Sequence, residues 1–487
     1  MDIEFFMRRG NKSLNDLDFN FDLPAVEDGY QPVDDSCTSD PLPALSDEQQ
    51  EALDVVQSKL LLPPEVAKTI AIIAPAGTGK TLFVHVAVKE LKSSGHQVMC
   101  VAASALASTL LPNGRTAHAG LNIPINISDD SYCRWDLNMQ NHLLSLDVLF
   151  WDEISMVSRD VIACVDRSFR KLKNNDTLFG GTAVVLLGDF RQLTPVVKHC
   201  RGEDHSVLHE HWFQSCPILH FTRNFRSTDP EFQCNLRAIG NGVIDDIPVP
   251  LSARAGNVDE LIDKVYGNDI CSATNDKNMI LAFTLDQCAI INDTVFARFA
   301  EAPSYATASD DLSECKSPDE YPSEYVSSLH IPGVPPSSLT LQRNARYMIV
   351  RNANPPAICN GILARLISWS RYMCKMKLLS GPAKNQVVYL PRFSVRVTSE
   401  SSGLPFTFTR RQFPIIPAYC VSVHKSQGQS LCKIGFVAEK DAFAHGQVYV
   451  ALSRVGSWDD ITFFSPRDDM IIKNNVAKIL IEIAGNK

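Results

Sequence analysis

Residues 74–81 read APAGTGKT, directly after the apolar run IAIIA and directly before a helical stretch from Leu82 to Leu91. A loop in that position aims consecutive backbone N–H groups at phosphate oxygens, and the following helix N-terminus adds positive dipole. Lys80 is placed to reach the β- and γ-phosphates of a nucleotide, and the Thr81 hydroxyl to ligate Mg²⁺. The stretch therefore predicts a P-loop whose backbone cradle is formed by Ala76, Gly77, Thr78 and Gly79.

The loop departs from the usual GxxxxGK[ST] pattern at its first position, where Ala74 replaces glycine. Alanine is the smallest substitution available there. Because glycine is needed where the backbone φ is positive, we expect nucleotide binding to survive unless this position requires a positive φ.

Short apolar runs separated by helical patterns continue along the chain. They lie at 98–103, 146–151 and 182–188, and again at 279–283 and 434–438. Runs of this kind suit strands buried on both faces of a parallel sheet, with crossover helices between them. The alternation predicts an α/β fold with two such units.

Two segments interrupt the second unit. Residues 301–338 are rich in Ser, Asp and Pro, and we interpret them as a long surface loop. Residues 362–412 are rich in β-branched, aromatic and basic residues, with a turn at Gly381 and Pro382. They predict a small β-rich insertion.

The charge of the chain is acidic and unevenly distributed. Its 487 residues contain 46 Lys and Arg against 55 Asp and Glu, a net charge of −9. Residues 1–44 hold ten of the acidic residues and three of the basic ones, and we interpret them as an acidic, disordered tail. This balance excludes a protein that wraps nucleic acid by bulk positive charge, but it permits a local basic channel.

Cysteine usage and hydropathy indicate an intracellular protein. The 14 cysteines include no CxxC pair, which is typical of reduced thiols. No apolar run approaches the ~20 residues that span a bilayer, and the N-terminus lacks the apolar stretch of a signal peptide. Its acidity also disfavours a mitochondrial presequence. We expect a reducing compartment, the nucleus before the mitochondrion, and no membrane partner.

A P-loop ATPase needs a carboxylate for its metal ion, and the run at 146–151 is followed by Asp152 and Glu153. At the carboxyl end of a strand, Asp152 can hold Mg²⁺ and Glu153 can orient and deprotonate the attacking water. The next predicted strand leads into GDFRQLTPV, where Gln192 is placed to sense the γ-phosphate. Together these patterns predict an ATP hydrolase.

The order of these motifs resembles that of the Pif/RecD-type DNA helicases of superfamily one, and most closely the Pif-like helicases of eukaryotes, their viruses and Helitron transposons. The resemblance rests on GDFRQLTPV at 188–196, HKSQGQS at 424–430 and YVALSR at 449–454, and it runs from Leu45 to about Phe464. It implies two RecA-like P-loop NTPase domains with a small β-rich, SH3-like insertion in the second. The implied segments are the first domain at 45–220, with an accessory insert near 118–140, and the second domain at 221–361 and 413–487, with the insertion at 362–412.

The resemblance also implies roles for residues around the nucleotide. Gln49 would read the adenine edge through two hydrogen bonds. Arg226 and Arg454 would come from the second unit and place positive charge on the γ-phosphate when the two units close. The implied catalytic set is Lys80, Asp152, Glu153, Gln192, Arg226 and Arg454.

A face that binds the nucleic-acid strand is implied on both units. Its residues are Ser104, Thr116 and His118 in the first unit, and His424, Lys425, Ser426 and Gln427 in the second. Short polar groups and backbone amides contact phosphates without reading bases, as an enzyme that moves along a strand requires. Ala105 and Ala345 stand where the family commonly has glycine, but neither change removes a catalytic group.

The implied activity is that of an ATP- and Mg²⁺-dependent DNA helicase that moves on single-stranded DNA and unwinds duplex at junctions. The 5′-to-3′ polarity comes from the resemblance alone, as do roles in replication, repair, recombination or telomere maintenance. Two alternatives stay open: an RNA helicase of the same superfamily, and a nucleotide-dependent DNA-binding protein of transposon or viral origin that no longer unwinds. We expect a monomer or a weakly self-associating protein.

A histidine-rich stretch follows the GDFRQLTPV motif. It contains His199, Cys200, His205, His209, His211, Cys216 and His220. The spacing matches no standard zinc finger, so we interpret the stretch as a polar connector that leaves the first unit, and not as a metal site.

Overall fold

The computed structural model describes residues 43–197, 200–315, 321–329, 331, 333–467 and 471–485. The acidic segment 1–42 and His199 of the histidine-rich stretch lie outside these described residues. The described part contains two parallel sheets flanked by helices, together with a β-rich region that follows the second sheet's first strand.

The first parallel sheet is built from the apolar runs of the N-terminal half. In chain order its strands are β1 (Ile70–Ile73), β2 (Val98–Ala102), β3 (Arg115–Thr116), β4 (Val148–Asp152), β5 (Ala183–Gly188) and β6 (Ile218–His220). They lie in the order β3-β2-β4-β5-β1-β6, and each neighbouring pair is parallel. Phe150 packs with Phe83 on one face, and Trp151 packs with Phe169 on the other. Burial on both faces explains why these strands are uninterrupted apolar runs.

Helices connect and cover the strands. They are Asp47–Leu60, Lys80–Ser93, Ala105–Thr109, Ala117–Gly120, Leu137–Leu144, Arg159–Lys173, His211–Ser215, Pro230–Gly240, Val258–Tyr266, Leu285–Phe296, Ser323–Ser328, Ser399–Ser402, Val423–Ser426, Gln447–Leu452 and Lys478–Gly485. Their ends follow local chemistry. Arg159–Lys173 begins after Ser158, whose hydroxyl accepts the N–H of Val161, and it ends at Asn174 with a left-handed φ of 47°.

The second half of the chain carries the remaining strands. They are β7 (Asp246–Pro248), β8 (Asn278–Ala282), β9 (Ser304–Thr307), β10 (Ser309–Asp311), β11 (Ser338–Leu341), β12 (Arg346–Ile349), β13 (Leu363–Trp369), β14 (Met373–Leu378), β15 (Val387–Pro391), β16 (Phe393–Val397), β17 (Phe408–Gln412), β18 (Ile415–Pro417), β19 (Cys420–Ser422), β20 (Lys433–Val437), β21 (Ile461–Phe464) and β22 (Ile471–Lys473). The second parallel sheet has the order β19-β8-β20-β21. Antiparallel sheets with the orders β15-β14-β13-β12-β18 and β10-β17-β16 form the β-rich region.

The interpretation of 301–338 as a long surface loop is wrong. The segment contains β9, β10 and the helix Ser323–Ser328. Arg410 of β17 holds it in place, because its buried guanidinium donates hydrogen bonds to both carboxylate oxygens of Asp310 at 2.8 Å and to the carbonyl of Val326 at 2.8 Å. The polar composition of the segment therefore gave no indication that Arg410, which is distant in sequence and buried, holds Asp310 and Val326 in place.

The β-rich region is larger than the insertion predicted at 362–412. The flanking strands β12 and β18 belong to the same sheet as β13, β14 and β15. Tyr347 of this sheet lies in the same buried cluster as Ile280 of the second parallel sheet. Arg346 is almost fully buried at the junction and donates a hydrogen bond to the carbonyl of Asn275 at 2.8 Å. The five-stranded sheet thus shares its core with the second unit.

The end of the described chain returns to the first unit. The helix Lys478–Gly485 places Leu480 and Ala484 in the same buried cluster as Phe213, below the first sheet. Two stretches of chain therefore join the units: the segment after β6 and the segment that precedes this helix.

Replacement of Asp310 with alanine tests how the corrected segment is held. We expect a loss of about 3 kcal/mol in the free energy of unfolding, because the buried Arg410 keeps its charge without a counter-charge. Urea denaturation measures the loss. As a control, Asp441→Ala removes the exposed partner of Arg467, 2.8 Å away, and should cost less than about 1 kcal/mol. Equal losses in the two variants would contradict this account.

Candidate active site

A cavity of about 430 Å³ lies where the P-loop faces the second unit. Its lining includes residues 75–81, Asp152, Glu153, Gln192, Arg226 and Arg454. Gly428 and Ser430 of the HKSQGQS motif complete one wall. The structure thus brings all six residues of the predicted catalytic set to one place.

The P-loop keeps its shape through two glycines and its own lysine. Gly77 has a φ of 85° and Gly79 a φ of 79°, both in the left-handed region. The Lys80 ammonium group donates a hydrogen bond to the carbonyl of Ala74 at 2.7 Å. Ala74 is not among the residues with positive φ, so its methyl group imposes no backbone strain at the position where the usual motif has glycine.

The chain segment after β6, which we call the connector (221–229), docks on the P-loop. The N–H of Phe225 donates to the carbonyl of Gly77 at 2.7 Å, and the Asn224 amide donates to the carbonyl of Ala76 at 3.1 Å. A Cβ on Gly77 would lie only 2.7 Å from the Asn224 Oδ1 atom. Glycine is therefore required both for the backbone turn and for this close approach.

Asp152 and Glu153 face the cavity from the end of β4, and each is only 6% exposed. Asp152 accepts the N–H of Glu153 at 2.8 Å. Burial, and then the charge of Glu153, raise the pKa of Asp152 to about 6, against the opposing effect of Lys80. Glu153 also has a φ of 54°, a strained conformation that is typical of functional sites. A divalent cation would relieve the repulsion between the two carboxylates.

The two arginines reach the cavity from different parts of the chain. Arg454 lies two residues after the end of the helix Gln447–Leu452 of the second unit, and burial, then the charge of Arg226, lower its pKa to about 10. Arg226 belongs to the segment that we predict for the second unit (221–361). It lies in the connector, whose backbone is bonded to the P-loop, and only its guanidinium reaches the rest of that unit, where it donates to the Ser430 hydroxyl at 2.9 Å and to the Ser453 carbonyl.

Gln192 lines the cavity beside the carboxylates. Its Nε2 atom donates to Asp189 Oδ2 at 3.4 Å, whereas its buried Oε1 atom has no hydrogen-bond partner within the described residues. A buried polar atom without a partner, at the wall of a cavity, indicates that a bound group completes the site.

Gln49 does not face the cavity in the way expected of an adenine-binding residue. Its Oε1 atom accepts the N–H of Ser46 at 3.1 Å, and its Nε2 atom donates to the carbonyl of Thr78 at 3.1 Å. Both ends of the amide are therefore occupied by protein, and Gln49 braces the P-loop from the helix Asp47–Leu60.

The strand-binding residues predicted in the first unit lie next to one another. Ser104 and Thr116 precede short helices beyond β2 and at the end of β3, and these strands are neighbours. Their hydroxyl oxygens accept N–H groups at the helix starts, at 3.1 Å and 3.4 Å. His118 is exposed on the second of these helices.

The strand-binding residues predicted in the second unit divide into two pairs. His424 and Lys425 are half-buried, and burial lowers the pKa of each. Ser426 is fully buried, and its hydroxyl donates to a backbone carbonyl at 2.8 Å. Gln427 is 7% exposed, and its Nε2 atom donates to Glu153 Oε2 at 3.5 Å. The assignments of Ser426 and Gln427 to the strand are therefore corrected, because both side chains face the protein interior.

Sequence reasoning missed several polar groups at the contact between the units. Asp189 lies in the GDFRQLTPV motif and Tyr449 in the YVALSR motif. Each is a residue with a polar group next to apolar residues, and this pattern could have identified both. His445 carried no signal. Its imidazole lies 2.8 Å from the carbonyl of Phe190 and accepts the N–H of Ala477 at 2.9 Å.

The histidine-rich stretch makes ordinary polar contacts. His205 lies 3.0 Å from the Asp160 carboxylate, and His209 lies 3.1 Å from the carbonyl of Glu203. In the described ranges no three His, Cys, Asp or Glu side chains converge as metal ligands. The same ranges contain no helix of the length and hydrophobicity that a membrane crossing needs.

The sequence of this chain is similar to those of several named helicases. The family model for PIF1-like helicases matches residues 44–247. The human ATP-dependent DNA helicase PIF1 is 27% identical over 424 residues, which cover 85% of this chain and 60% of the human protein. The ATP-dependent DNA helicase RRM3 of Saccharomyces cerevisiae is 24% identical over 471 residues, which cover 79% of this chain and 61% of the yeast protein. The chain thus spans about 60% of the length of these relatives.

Solved structures share the fold. Bacteroides Pif1 bound to single-stranded DNA matches with a TM-score of 0.66 at 23% identity, over 91% of this chain and 97% of that one. The Pif1 helicase of Candida albicans matches with a TM-score of 0.63 at 22% identity, over 91% of this chain and 99% of that one. The predicted RecA-like helicase fold is therefore confirmed. The family model over residues 44–247 and the named relatives agree with the order of motifs, so the chain is similar to the PIF1-like helicases over most of its length.

Proposed function

We propose that this chain is an ATP-dependent DNA helicase that moves along single-stranded DNA and separates duplex DNA. The observation that carries the proposal is the cavity in which Lys80 and Glu153 of the first unit face Arg454 of the second. A triphosphate bound there would contact both units, so its binding would favour their closure and its hydrolysis their release. The names of the relatives, ATP-dependent DNA helicases, support the same activity.

The side chains around the cavity suit phosphoryl transfer to water. Lys80 and the backbone N–H groups of 76–79 would hold the phosphates. Glu153 would accept the proton of the attacking water, and Arg226 and Arg454 would neutralise charge on the transferred phosphoryl group. Gln49, in this proposal, would contact adenine only after it leaves the carbonyl of Thr78.

Magnesium fits the site through Thr81 and Asp152, which both line the cavity. Burial and the charge of Glu153 raise the pKa of Asp152 against the effect of Lys80, so additional positive charge at this carboxylate would be favourable. The ion would supply positive charge on the phosphate oxygens.

The DNA strand would cross both units beside the cavity. Ser104, Thr116 and His118 would contact it on the first unit, and His424 and Lys425 on the second. The β-rich segment 362–412, which we propose corresponds to the SH3-like insertion, contains nine Lys and Arg and one Glu, although the whole chain has a net charge of −9. This local excess of positive charge supports contact with phosphates near the point of strand separation.

We propose a first RecA-like domain at 45–220, with an accessory insert near 118–140, and a second at 221–361 and 413–487, of which the connector and the helix Lys478–Gly485 pack against the first. The 5′-to-3′ polarity and a role in replication, repair, recombination or telomere maintenance rest on the family resemblance.

A monomer is the proposed working unit. One related structure concerns two coordinating Pif1 helicases at forked double-stranded DNA, which supports ss/ds junctions as substrates.

The substitutions Lys80→Ala and Glu153→Gln test the catalytic roles. Each should lower ATP turnover by at least about 100-fold, because one removes a charge on the phosphates and the other removes the base. Phosphate release in the presence of single-stranded DNA measures the effect. Lys89→Ala and Glu90→Gln, which alter exposed residues of the helix Lys80–Ser93, are the matched controls and should leave turnover unchanged. Parent-like turnover in either active-site variant would refute the assignment.

Substitutions at Ala74 and Gly77 of the P-loop should have different effects on nucleotide affinity. Ala74→Gly should leave nucleotide affinity within about twofold, because Ala74 has no positive φ. Gly77→Ala should weaken it by roughly tenfold or more, through backbone strain and the contact with Asn224. Titration with a fluorescent ATP analogue measures both. Gly95→Ala, at a φ of 87° with open space around it, serves as the control for backbone strain alone.

Strand displacement on matched duplexes tests movement and direction. We expect unwinding of the duplex with a 5′ single-stranded overhang, no unwinding of the one with a 3′ overhang, and no activity without ATP. Single-stranded DNA should stimulate ATP hydrolysis more than RNA of the same sequence. Stimulation by RNA alone would instead identify an RNA helicase, and hydrolysis without displacement would identify a nucleotide-dependent binding protein.

A further inference from the structure

Tyr449 extends from the second unit into the first. It belongs to the helix Gln447–Leu452 and is only 1% exposed. Its hydroxyl donates a hydrogen bond to Asp189 Oδ2 at 2.8 Å and accepts the N–H of Ala76 in the P-loop at 3.4 Å. A single hydroxyl group thus contacts two functional loops of the opposite unit.

Asp189 links Tyr449 to Gln192, because it accepts hydrogen bonds from both side chains. It is fully buried after β5, and the oxygen that accepts the Tyr449 hydroxyl also accepts Gln192 Nε2 at 3.4 Å. Its other oxygen accepts the N–H of Arg191 at 3.2 Å. Because Asp189 holds the Nε2 end of the Gln192 amide, the Oε1 end is the one left free beside the cavity.

The geometry leaves the Tyr449 ring little freedom. A Cβ on Gly240 would lie 2.7 Å from the ring, so the helix Pro230–Gly240 packs directly against it. Burial raises the pKa of the hydroxyl well above its usual range, so the group stays protonated and remains a donor to Asp189. A buried carboxylate depends on such donors, because it has no water to replace them.

Tyr449 and Arg454 are joined by one short piece of chain. The helix Gln447–Leu452 ends one residue before Ser453, so a movement that brings Arg454 to the cavity also moves Tyr449. A movement of the second unit away from the first would therefore break the contact between Tyr449 and Asp189.

We propose that Tyr449 is a positioning residue for ATP hydrolysis: its hydroxyl, through Asp189, orients the Gln192 amide and anchors the P-loop at Ala76 when the two units are close. The inference rests on the proposed ATPase function. It makes competence for hydrolysis, and not nucleotide affinity, depend on the position of the second unit.

The substitution Tyr449→Phe keeps the ring and removes only the hydroxyl. We expect kcat for DNA-stimulated ATP hydrolysis to fall about tenfold, while KM for ATP and the affinity for a fluorescent ATP analogue change less than about twofold. Tyr347→Phe is the matched control. It removes a buried hydroxyl that donates to the Thr340 carbonyl at 2.9 Å and accepts the Gln342 N–H at 2.8 Å, away from the cavity, and it should leave kcat unchanged.

A second variant separates positioning from general loss of structure. Asp189→Asn should lower kcat with little change in KM, and the double variant with Tyr449→Phe should lose no more than the stronger single variant, because both break one chain of contacts. Thermal melting of each variant gives the structural effect independently of kcat.

The possible outcomes are distinct. A kcat within twofold of the parent in Tyr449→Phe, an equal loss in Tyr347→Phe, or additive losses in the double variant would overturn the role of Tyr449 alone. Absence of ATP turnover in the parent chain would overturn the proposed function, and with it this inference.

Discussion

The arrangement of the cleft follows from the difficulty of burying charge. Lys80, Arg226 and Arg454 line the same cavity as Asp152 and Glu153. Burial disfavours the charged forms of Asp152, Arg226 and Arg454 unless a partner compensates the charge. Burial is the largest cause of the opposite pKa shifts of Asp152 and Arg454, and a neighbouring like charge adds to each, so that the acid is harder to ionise and the base is easier to neutralise. A nucleotide with its metal ion carries the complementary charges, phosphates for the cations and a cation for the carboxylates.

The two units also contact each other beside the cavity, at the GDFRQ loop. The GDFRQ loop of the first unit is enclosed by groups of the second. A Cβ on Gly446 would lie 2.4 Å from the Arg191 carbonyl, and His445 approaches Phe190 next to it. Gln427 approaches Glu153 from the other side of the cavity. The HKSQGQS motif of the second unit and the Asp152–Glu153 pair of the first are therefore in direct side-chain contact.

Much of the fold could be predicted because strands that are buried on both faces are recognisable in the sequence as uninterrupted apolar runs. The apolar runs at β1, β4 and β5 are continuous because both of their faces are covered, and the P-loop glycines are required by its backbone conformation. The segment 301–338 could not be predicted, since its order depends on Arg410, far away in the chain. Likewise, no local pattern shows that the connector docks on the P-loop, or that the side chain of Gln427 faces inward. Motifs identify which residues meet, but the direction of each side chain depends on packing.

The two crossings of the chain between the units limit how those units can move. One is the connector, bonded to the P-loop, and the other leads from Asn475, whose carbonyl accepts the N–H of Gly446 at 2.9 Å, into the helix Lys478–Gly485. Two covalent connections would favour rotation of one unit relative to the other about the line that joins the connections. Moving the units straight apart would stretch both connections, whereas this rotation would stretch neither. In the proposed cycle, the distance from this rotation axis to the helix Val423–Ser426 would act as a lever arm and would set how far one cycle advances the chain along the strand.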